Sequence, residues 1–172
     1  MKVEILRYPT DDDWRRCKLL ALNTVGINEV KTVTDDWKHR ILKAEHSPIR
    51  TLMFTVRMEI PYYASVHFCR HKYGVEHFVK SQRNDRQSEY DRTQAPQGQI
   101  VTHIMDINAQ ELMQMSRKRL CGKADPVTRE IMQMIVDEVL KTNPEFDGLL
   151  VKMCKYTGDC KEFRPCWIPE NK

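Results

Sequence analysis

The segment 70–86 carries the residues of this chain that are best suited to chemistry. It reads RHKYGVEHFVKSQRNDR and groups guanidinium, imidazole and ammonium donors around a Ser-x-Arg unit at 81–83. Arginine suits phosphate because its planar guanidinium donates two parallel hydrogen bonds and keeps its charge at any working pH. The cationic residues that meet this demand are Arg70, Lys72, Arg83 and Arg86. The segment therefore indicates a phosphate-binding site.

A phosphate at this segment would have to be held by side chains. The chain contains neither a GxGxxG nor a GxxxxGK[ST] motif, and its six glycines are scattered, so no glycine-rich loop is available to cradle a nucleotide. The segment also contains Glu76 and Asp85, and such a mixture of charges is found in solvated surface loops as well. The elements around the segment help to choose between these interpretations.

Two apolar segments precede the donors and would hold them on a scaffold. In 52–60, LMFTVRMEI, every second residue is apolar, which predicts a strand with one buried face. The segment 61–69, PYYASVHFC, begins with a proline, and proline suits the first turn of a helix. After a polar surface loop at 82–99, the segment IVTHIMDI at 100–107 predicts another strand.

Further helices are predicted from apolar spacing and from capping residues. They begin at Asp11, at Asp35, at about Ala109 and at Asp125-Pro126. KVEILRY at the start of the chain has the composition of a strand. Because strands and helices are mixed without a βαβ repeat, the pattern favours an α+β fold, with an antiparallel or mixed sheet and packed helices. We expect one domain spanning 1–172, because the length and composition suit a single core.

Composition narrows the class of partner. The chain has 172 residues, a formal charge of +4 and a pI of about 8.7, which suits anionic ligands such as nucleotides but falls short of a polybasic character. Charge alone does not decide between small nucleotides and nucleic-acid polymers. No apolar run approaches the roughly 20 residues that span a bilayer, and the first residues lack the apolar stretch of a signal peptide. We therefore expect a soluble cytoplasmic protein that does not bind membranes. Nucleic acid is not the expected partner either, because the aromatic residues near the basic segment are few and scattered.

The six cysteines are expected to be thiols, because no export signal is seen. Cys17, Cys69 and Cys121 lie in apolar or helical patterns that are typical of small core residues. The other three lie in a C-terminal tail at about 150–172 and are Cys154, Cys160 and Cys166. They have no CxxC pair and no evident fourth ligand, so we expect no metal, with zinc at these three thiols as the alternative.

Three segments together resemble the flavin-dependent thymidylate synthase family, whose members complement loss of the other thymidylate synthase. Arg70-His71-Lys72 and Ser81-Gln82-Arg83 resemble, in diverged form, the Arg-His-Arg and Ser-x-Arg parts of its RHRxxSxNxxSxRY signature. HSPIRTLMFTVRMEI at 46–60 is similar to the strand that precedes this signature, and NAQELMQMSRKRL at 108–120 is similar to its downstream helix. The resemblance implies an FAD-dependent methyltransferase that converts dUMP to dTMP, with NADPH and methylenetetrahydrofolate as co-substrates.

The resemblance also implies roles for individual residues. The residues that would bind FAD are Ser47, Arg70, His71, Lys72 and Asn108. The residues that would bind dUMP are His67, Ser81, Gln82, Arg83 and Arg119. Arg119 would also be catalytic, by polarising the uracil, and its place beside the apolar stripe of its helix fits either such a ligand or a structural ion pair. The family further implies a homotetramer in which subunits share active sites.

Several alternatives stay open. The one-carbon unit could be transferred to C5 of a different pyrimidine nucleotide. A non-catalytic nucleic-acid-binding module is the alternative from another class, using the basic loop and a zinc-bound tail. Arg86 and Arg92 are both candidates for a phosphate-binding arginine that the family carries between its signature and Asn108. Bound flavin would separate the two enzymes from the binding module.

Overall fold

Four antiparallel strands form the single sheet of the residues described. The computed structural model describes residues 1–27, 29–86 and 91–166, and of Asn84 the backbone alone. The strands are β1 (Lys2–Arg7), β2 (Met53–Pro61), β3 (Val75–Val79) and β4 (Ile100–Asn108). Their order across the sheet is β1-β2-β4-β3, and β2 pairs with β4 over its whole length. This confirms the prediction of an α+β fold with an antiparallel sheet.

Six α-helices and three short 3₁₀ turns complete the described structure. The helices are α1 (Asp11–Asn23), α2 (Asp35–Lys43), α3 (Tyr62–Phe68), α4 (Ala109–Arg119), α5 (Pro126–Thr142) and α6 (Met153–Thr157). The 3₁₀ turns are Ser47–Thr51, Asn84–Arg86 and Pro144–Phe146. Within the described ranges, no helix combines the length and apolar character that a bilayer crossing requires.

Side-chain caps explain where the longer helices begin. The side chains of Thr10, Thr34, Asn108 and Asp125 each accept a hydrogen bond from a backbone N–H in the first turn of the helix that follows. Helix α1 begins at Asp11 as predicted, and its cap is Thr10, the residue before it. Thr10 and Asp13 form a reciprocal capping box, which leaves the aspartates as the acidic first turn.

One face of the sheet forms the core. Alternate residues of β2 and β4 are buried on this face, and they are Phe54, Val56, Met58, Ile60, Val101, His103, Met105 and Ile107. Helices α3 and α4 contact β4, while α5 contacts β1. Cys17 of α1 is also fully buried, and burial raises the pKa of its thiol to about 12. The alternation read in 52–60 is therefore confirmed, and Cys17 is a core residue as predicted.

Strand β3 was not predicted from the sequence. It lies inside the donor-rich segment and pairs with β4, so that His77 faces Met105 in register. Its side chains are largely polar or exposed, and even Phe78 is 58% exposed, so its composition lacks the apolar alternation that marks a half-buried strand. The polar loop that we predicted after it contains the turn Asn84–Arg86, and its residues 87–90 lie outside the described residues.

A buried ion pair ties the C-terminal segment to the rest of the protein. The Arg117 guanidinium donates to the carboxylate of Glu45 at 2.6 Å and lies 3.7 Å from the ring centre of Tyr156. The Tyr156 hydroxyl donates to the same carboxylate at 2.6 Å. We call these three residues the Arg117 cluster. It holds α6 against α4, and residues 167–172 of the predicted tail lie outside the described residues.

Candidate functional site

A basic cavity of about 310 Å³ lies where α4 ends, beside the segment that follows α3. The residues that line it are Arg70, His71, Lys118, Arg119, Cys121, Lys123, Ala124 and Glu162. Four of these carry positive charge and one carries a carboxylate. Three residues that the sequence analysis assigned to ligands, Arg70, His71 and Arg119, are therefore brought together, although 49 positions separate the first from the last.

Arg119 is fixed by two hydrogen bonds inside this cavity. Its Nε donates to Nε2 of His71 at 3.1 Å, and its Nη2 donates to the backbone carbonyl of His67 at 2.6 Å. These bonds use two of the five guanidinium N–H groups, which leaves three for a ligand. Burial and the nearby charge of Arg70 lower the pKa of Arg119. An anion or a carbonyl oxygen bound here would offset that unfavourable environment.

His71 is oriented by a carboxylate that the sequence analysis missed. Because Nε of Arg119 can only donate, Nε2 of His71 accepts, and the ring proton is on Nδ1, which donates to Glu111 at 2.7 Å. Glu111 lies in the first turn of α4, two turns before Arg119. Residues eight apart share one helix face, so the sequence held a signal for Glu111 that was not used.

His67 contributes its backbone to the cavity and its side chain to the start of α5. Its Nδ1 lies 2.9 Å from the hydroxyl of Thr128, which itself donates to Asp125, the cap of α5. Since the hydroxyl proton goes to Asp125, Nδ1 of His67 donates and Nε2 is left as an acceptor. The role of the His67 side chain in binding a nucleotide stays a prediction.

The Ser-x-Arg unit lies at a different cleft, which shares no lining residue with the basic cavity. Lys80, Ser81, Arg83 and Arg86 line this cleft of about 270 Å³. Arg83 is exposed, and its guanidinium makes two hydrogen bonds, at 2.9 and 2.8 Å, to the carboxylate of Asp85. A phosphate bound here would compete with that carboxylate for Arg83. Gln82 is half-buried and does not line the cleft.

The remaining cofactor assignments fall outside the basic cavity. Ser47 and Lys72 are exposed and line neither cavity described so far. Asn108 caps α4, and its backbone N–H donates to the carbonyl of Gly74 at 2.8 Å. Gly74 has φ +72°, and a Cβ there would lie 2.4 Å from Nδ2 of Asn108, so this close approach requires glycine. Asn108, Gly74 and Glu111 border a further cavity of about 360 Å³.

The structure brings together a group of potential metal ligands other than the one considered from sequence. Among the residues described, Cys154, Cys160 and Cys166 do not form a group within metal-ligand distance of one another, whereas Cys69, His77 and His103 do. Nδ1 of His77 lies 2.9 Å from Nε2 of His103. Burial and the neighbouring His77 lower the pKa of His103 to about 4, and burial lowers the pKa of His77.

Comparison with known proteins gives the class of the fold. No protein-family model and no curated protein sequence matches this chain, but the chain has the fold of the flavin-dependent thymidylate synthases. A thymidylate synthase X from Helicobacter pylori, crystallised with FAD and dUMP, matches 87% of this chain and 99% of its own, with 13% identity and a TM-score of 0.66. A second structure of that enzyme with FAD and dUMP gives 14% identity over 88% and 100% of the chains, with a TM-score of 0.67.

A methylase of nucleotides has the same fold. PolB from Streptomyces cacaoi, a UMP/dUMP methylase crystallised with 5-Br dUMP, matches 88% of this chain and 97% of its own, with 12% identity and a TM-score of 0.65. Identities as low as these establish the fold and leave the reaction of this chain to be argued from its own residues.

Proposed function

We propose that this protein is an FAD-dependent methyltransferase that acts on C5 of a pyrimidine nucleotide, with dUMP as substrate and dTMP as product. Methylenetetrahydrofolate is the one-carbon donor in this proposal, and NADPH is the reductant. The observation that carries the proposal is the Arg119–His71–Glu111 arrangement at the basic cavity, on a fold shared with proteins crystallised with dUMP and FAD.

The residues of the basic cavity fit the anionic groups of these ligands. Arg70, Lys118 and Lys123 offer positive charge to a pyrophosphate or a phosphate. Its volume of about 310 Å³ is near the lower end for ligand sites, which run from roughly 300 to 1,000 Å³. A dinucleotide such as FAD would therefore extend beyond it.

Arg119 is the residue proposed to assist the reaction. Glu111 holds the His71 ring, and His71 together with the carbonyl of His67 holds the guanidinium before any ligand arrives. Donors fixed in advance stabilise charge that develops in a transition state, and loss of one typically costs about 2.7–4 kcal/mol. Here that negative charge would lie on a uracil carbonyl in the enolate that forms when hydride adds to C6 and that makes C5 nucleophilic towards the one-carbon unit. FAD, when bound and reduced, supplies the electrons of the methylation.

A shared active site would unite the two groups of donors. The basic cavity and the cleft at Ser81 and Arg83 have no lining residue in common. In the proposed homotetramer with active sites between subunits, a single nucleotide would contact one group from each of two chains. Cross-linking and sedimentation at varied protein concentration would measure the assembly.

Flavin binding and product analysis test the proposal. Purified protein should bind FAD, and mass spectrometry should detect dTMP after incubation with dUMP, NADPH and methylenetetrahydrofolate. Arg119→Ala should lower turnover by about a hundredfold or more while FAD binding changes little. Arg40→Ala is the matched control, because Arg40 is an exposed arginine of α2. Absence of FAD binding in calorimetry would refute the proposal. The alternative of a non-catalytic nucleic-acid-binding module would then be favoured.

Methylation of a different pyrimidine nucleotide is the second candidate. The fold is shared with a UMP/dUMP methylase, which supports a wider range of substrates. The assay is therefore run in parallel with dUMP, UMP and dCMP. A methylated product from UMP or dCMP, with none from dUMP, would favour this candidate.

The tail cysteines have no role in the proposed reaction. Serine at Cys154, Cys160 and Cys166 together should leave both FAD binding and turnover unchanged, because no step requires a thiolate. Loss of turnover in a folded triple variant that still binds FAD would contradict this expectation.

A further inference from the structure

The Cys69–His77–His103 group joins three elements next to residues 70 and 71, which line the basic cavity. Cys69 follows α3 directly, His77 is in the middle of β3, and His103 is on the core face of β4. One ligand atom from each residue lies within 4.8 Å of the other two. We propose that these three residues bind one zinc ion. This inference does not depend on the proposed function.

The hydrogen bonds of His77 prepare it as a ligand. Its Nε2 lies 3.0 Å from the backbone carbonyl of His71, and since a carbonyl can only accept, Nε2 carries the proton. The lone pair is then on Nδ1, which points to Nε2 of His103. A ligand histidine that donates its other N–H to a backbone carbonyl is the usual arrangement around protein-bound metals, because that bond sets the tautomer and the ring orientation.

His103 is the residue that packing alone does not explain. It is fully buried on an inner strand of the sheet, and its Nδ1 has no hydrogen-bond partner among the residues that the structure describes. A buried polar atom without a partner is unfavourable by about 1–3 kcal/mol, and an apolar residue would fill the position without that penalty. A metal bound at Nε2 would leave the ring proton on Nδ1, which would still lack a partner, so the metal does not remove this penalty. It would explain why an imidazole, and not an apolar side chain, occupies the position.

The distances and the donor types fit zinc. With Zn–N bonds of about 2.0–2.1 Å and a Zn–S bond of about 2.3 Å, neighbouring ligand atoms of a tetrahedral site lie roughly 3.3–3.7 Å apart. The two imidazole nitrogens, now 2.9 Å apart, would separate by a few tenths of an ångström. One thiolate with two imidazoles is a donor set that zinc favours. The thiol proton leaves for solvent as the Zn–S bond forms. The proton that Nε2 of His103 now donates to Nδ1 of His77 moves to Nδ1 of His103, which frees Nε2 as a ligand. Water completes the fourth position.

Zinc at this position would brace the segment that presents donors to the basic cavity. Cys69 is bonded to Arg70 along the chain, and His77 holds the carbonyl of His71. The ion would therefore fix both ends of the 69–71 segment against the sheet. Its expected role is structural, and no reaction step is assigned to it.

Cobalt substitution and metal analysis test the site in the chain of 172 residues without an affinity tag. After loading with ZnCl₂ and dialysis against metal-free buffer, about one zinc per chain should remain. CoCl₂ should produce a thiolate-to-cobalt charge-transfer band and the absorption of a tetrahedral ion. Cys69→Ser should abolish that band and weaken zinc binding by about tenfold or more. Cys154→Ser is the matched control, because Cys154 is also a half-buried thiol, and it should retain both properties.

The outcomes distinguish a zinc site at Cys69, His77 and His103 from a site at the tail cysteines and from the absence of a zinc site. Failure of the wild-type protein to retain zinc would overturn the proposal, and so would a charge-transfer band that survives in Cys69→Ser. Loss of the band in Cys154→Ser would overturn it in favour of the tail. Circular dichroism checks the fold of each variant. If Cys69→Ser does not fold, His77→Gln, which changes a half-buried side chain, should weaken zinc binding by about tenfold or more, and unchanged affinity would reject the proposal.

Discussion

The Arg117 cluster allows a prediction about the stability of the protein, and this prediction does not depend on the proposed function. Glu45→Ala removes the carboxylate that accepts from both Arg117 and Tyr156. The side chain of Arg117 is 3% exposed, so its charge would be left buried and without its partner. Breaking a buried ion pair in this way costs about 3–5 kcal/mol. We expect the lower end, about 3 kcal/mol, because the Glu45 side chain is 22% exposed.

Thermal unfolding followed by circular dichroism measures this loss. For a chain of this length, each 1 kcal/mol lowers Tm by about 2–4 °C, so Glu45→Ala should lower Tm by about 6–12 °C. Glu45 has a positive φ of +49°, a conformation that is strained for any residue with a Cβ. Because alanine and glutamate both carry a Cβ, the backbone strain is similar in the two proteins and does not contribute to the difference in Tm. Arg40→Ala removes one partner of the exposed Arg40–Asp36 pair and should change stability by less than about 1 kcal/mol.

A double-mutant cycle isolates the pair itself. Arg117→Met replaces the guanidinium with an apolar chain, which removes the buried charge. In this background Glu45→Ala should cost at least 1 kcal/mol less than in the wild-type protein, because no buried charge is left behind. Additive effects of the two substitutions would refute the reasoning. So would a decrease in Tm of less than about 2 °C for Glu45→Ala.

The same pair predicts a dependence on pH. Burial alone would raise the pKa of Glu45, but hydrogen bonds from Arg117 and Tyr156 outweigh it and hold the pKa below its ordinary value of 4.5. The contribution to stability is therefore fully present above pH 4.5 and is lost as pH falls through the lowered pKa of the folded state. The Tm difference between wild type and Glu45→Ala should stay constant near neutral pH and shrink in acid.

Three further predictions concern the site. Gly74→Ala should lower the free energy of unfolding, measured in urea, by roughly 1–3 kcal/mol more than Gly26→Ala does. Both glycines have φ near +73°, but a Cβ would contact Asn108 only at Gly74. Equal losses of stability in the two variants would contradict the close approach of Gly74 to Asn108. Glu111→Gln keeps an acceptor for His71 but removes its charge, so dUMP affinity measured by calorimetry should fall about tenfold, and an unchanged affinity would remove Glu111 from the site. Glu162→Gln takes a negative charge from the basic cavity and should tighten dUMP binding about two- to fivefold at low salt, whereas weaker binding would contradict this arrangement.

Local signals in the sequence were sufficient for most of the fold. The alternation in 52–60 and the Asp125-Pro126 pair each identified an element, because both depend on residues close together along the chain. Strand β3 could not be found in this way, since it is stabilised by pairing with β4 and not by an apolar pattern of its own. Its exposed Phe78 would even have suggested the wrong face.

The site could be predicted only in part, because it also depends on how the strands pair. A resemblance of motifs singled out His71 and Arg119, and the structure joins them by a hydrogen bond. The sequence could not show that Arg83 lines a separate cleft, because the path of β3 determines which side chains meet. The Cys69–His77–His103 group was hidden as well, since its members meet only through strand register and the end of α3.

The order of the strands has a consequence for how the protein folds. Strand β3 pairs with β4 and, among the residues described, with no other strand, although β4 begins 21 residues after β3 ends. Pairing of β2 with β4 closes a longer loop, which slows folding, but it buries the apolar face that forms the core. Because β3 is largely polar or exposed, we expect its pairing to become stable only after β2 and β4 have paired. The donor-rich segment would become ordered late. Pulse-labelling hydrogen exchange should show amides of β2 and β4 protected before those of β3, and earlier protection of β3 would contradict this order.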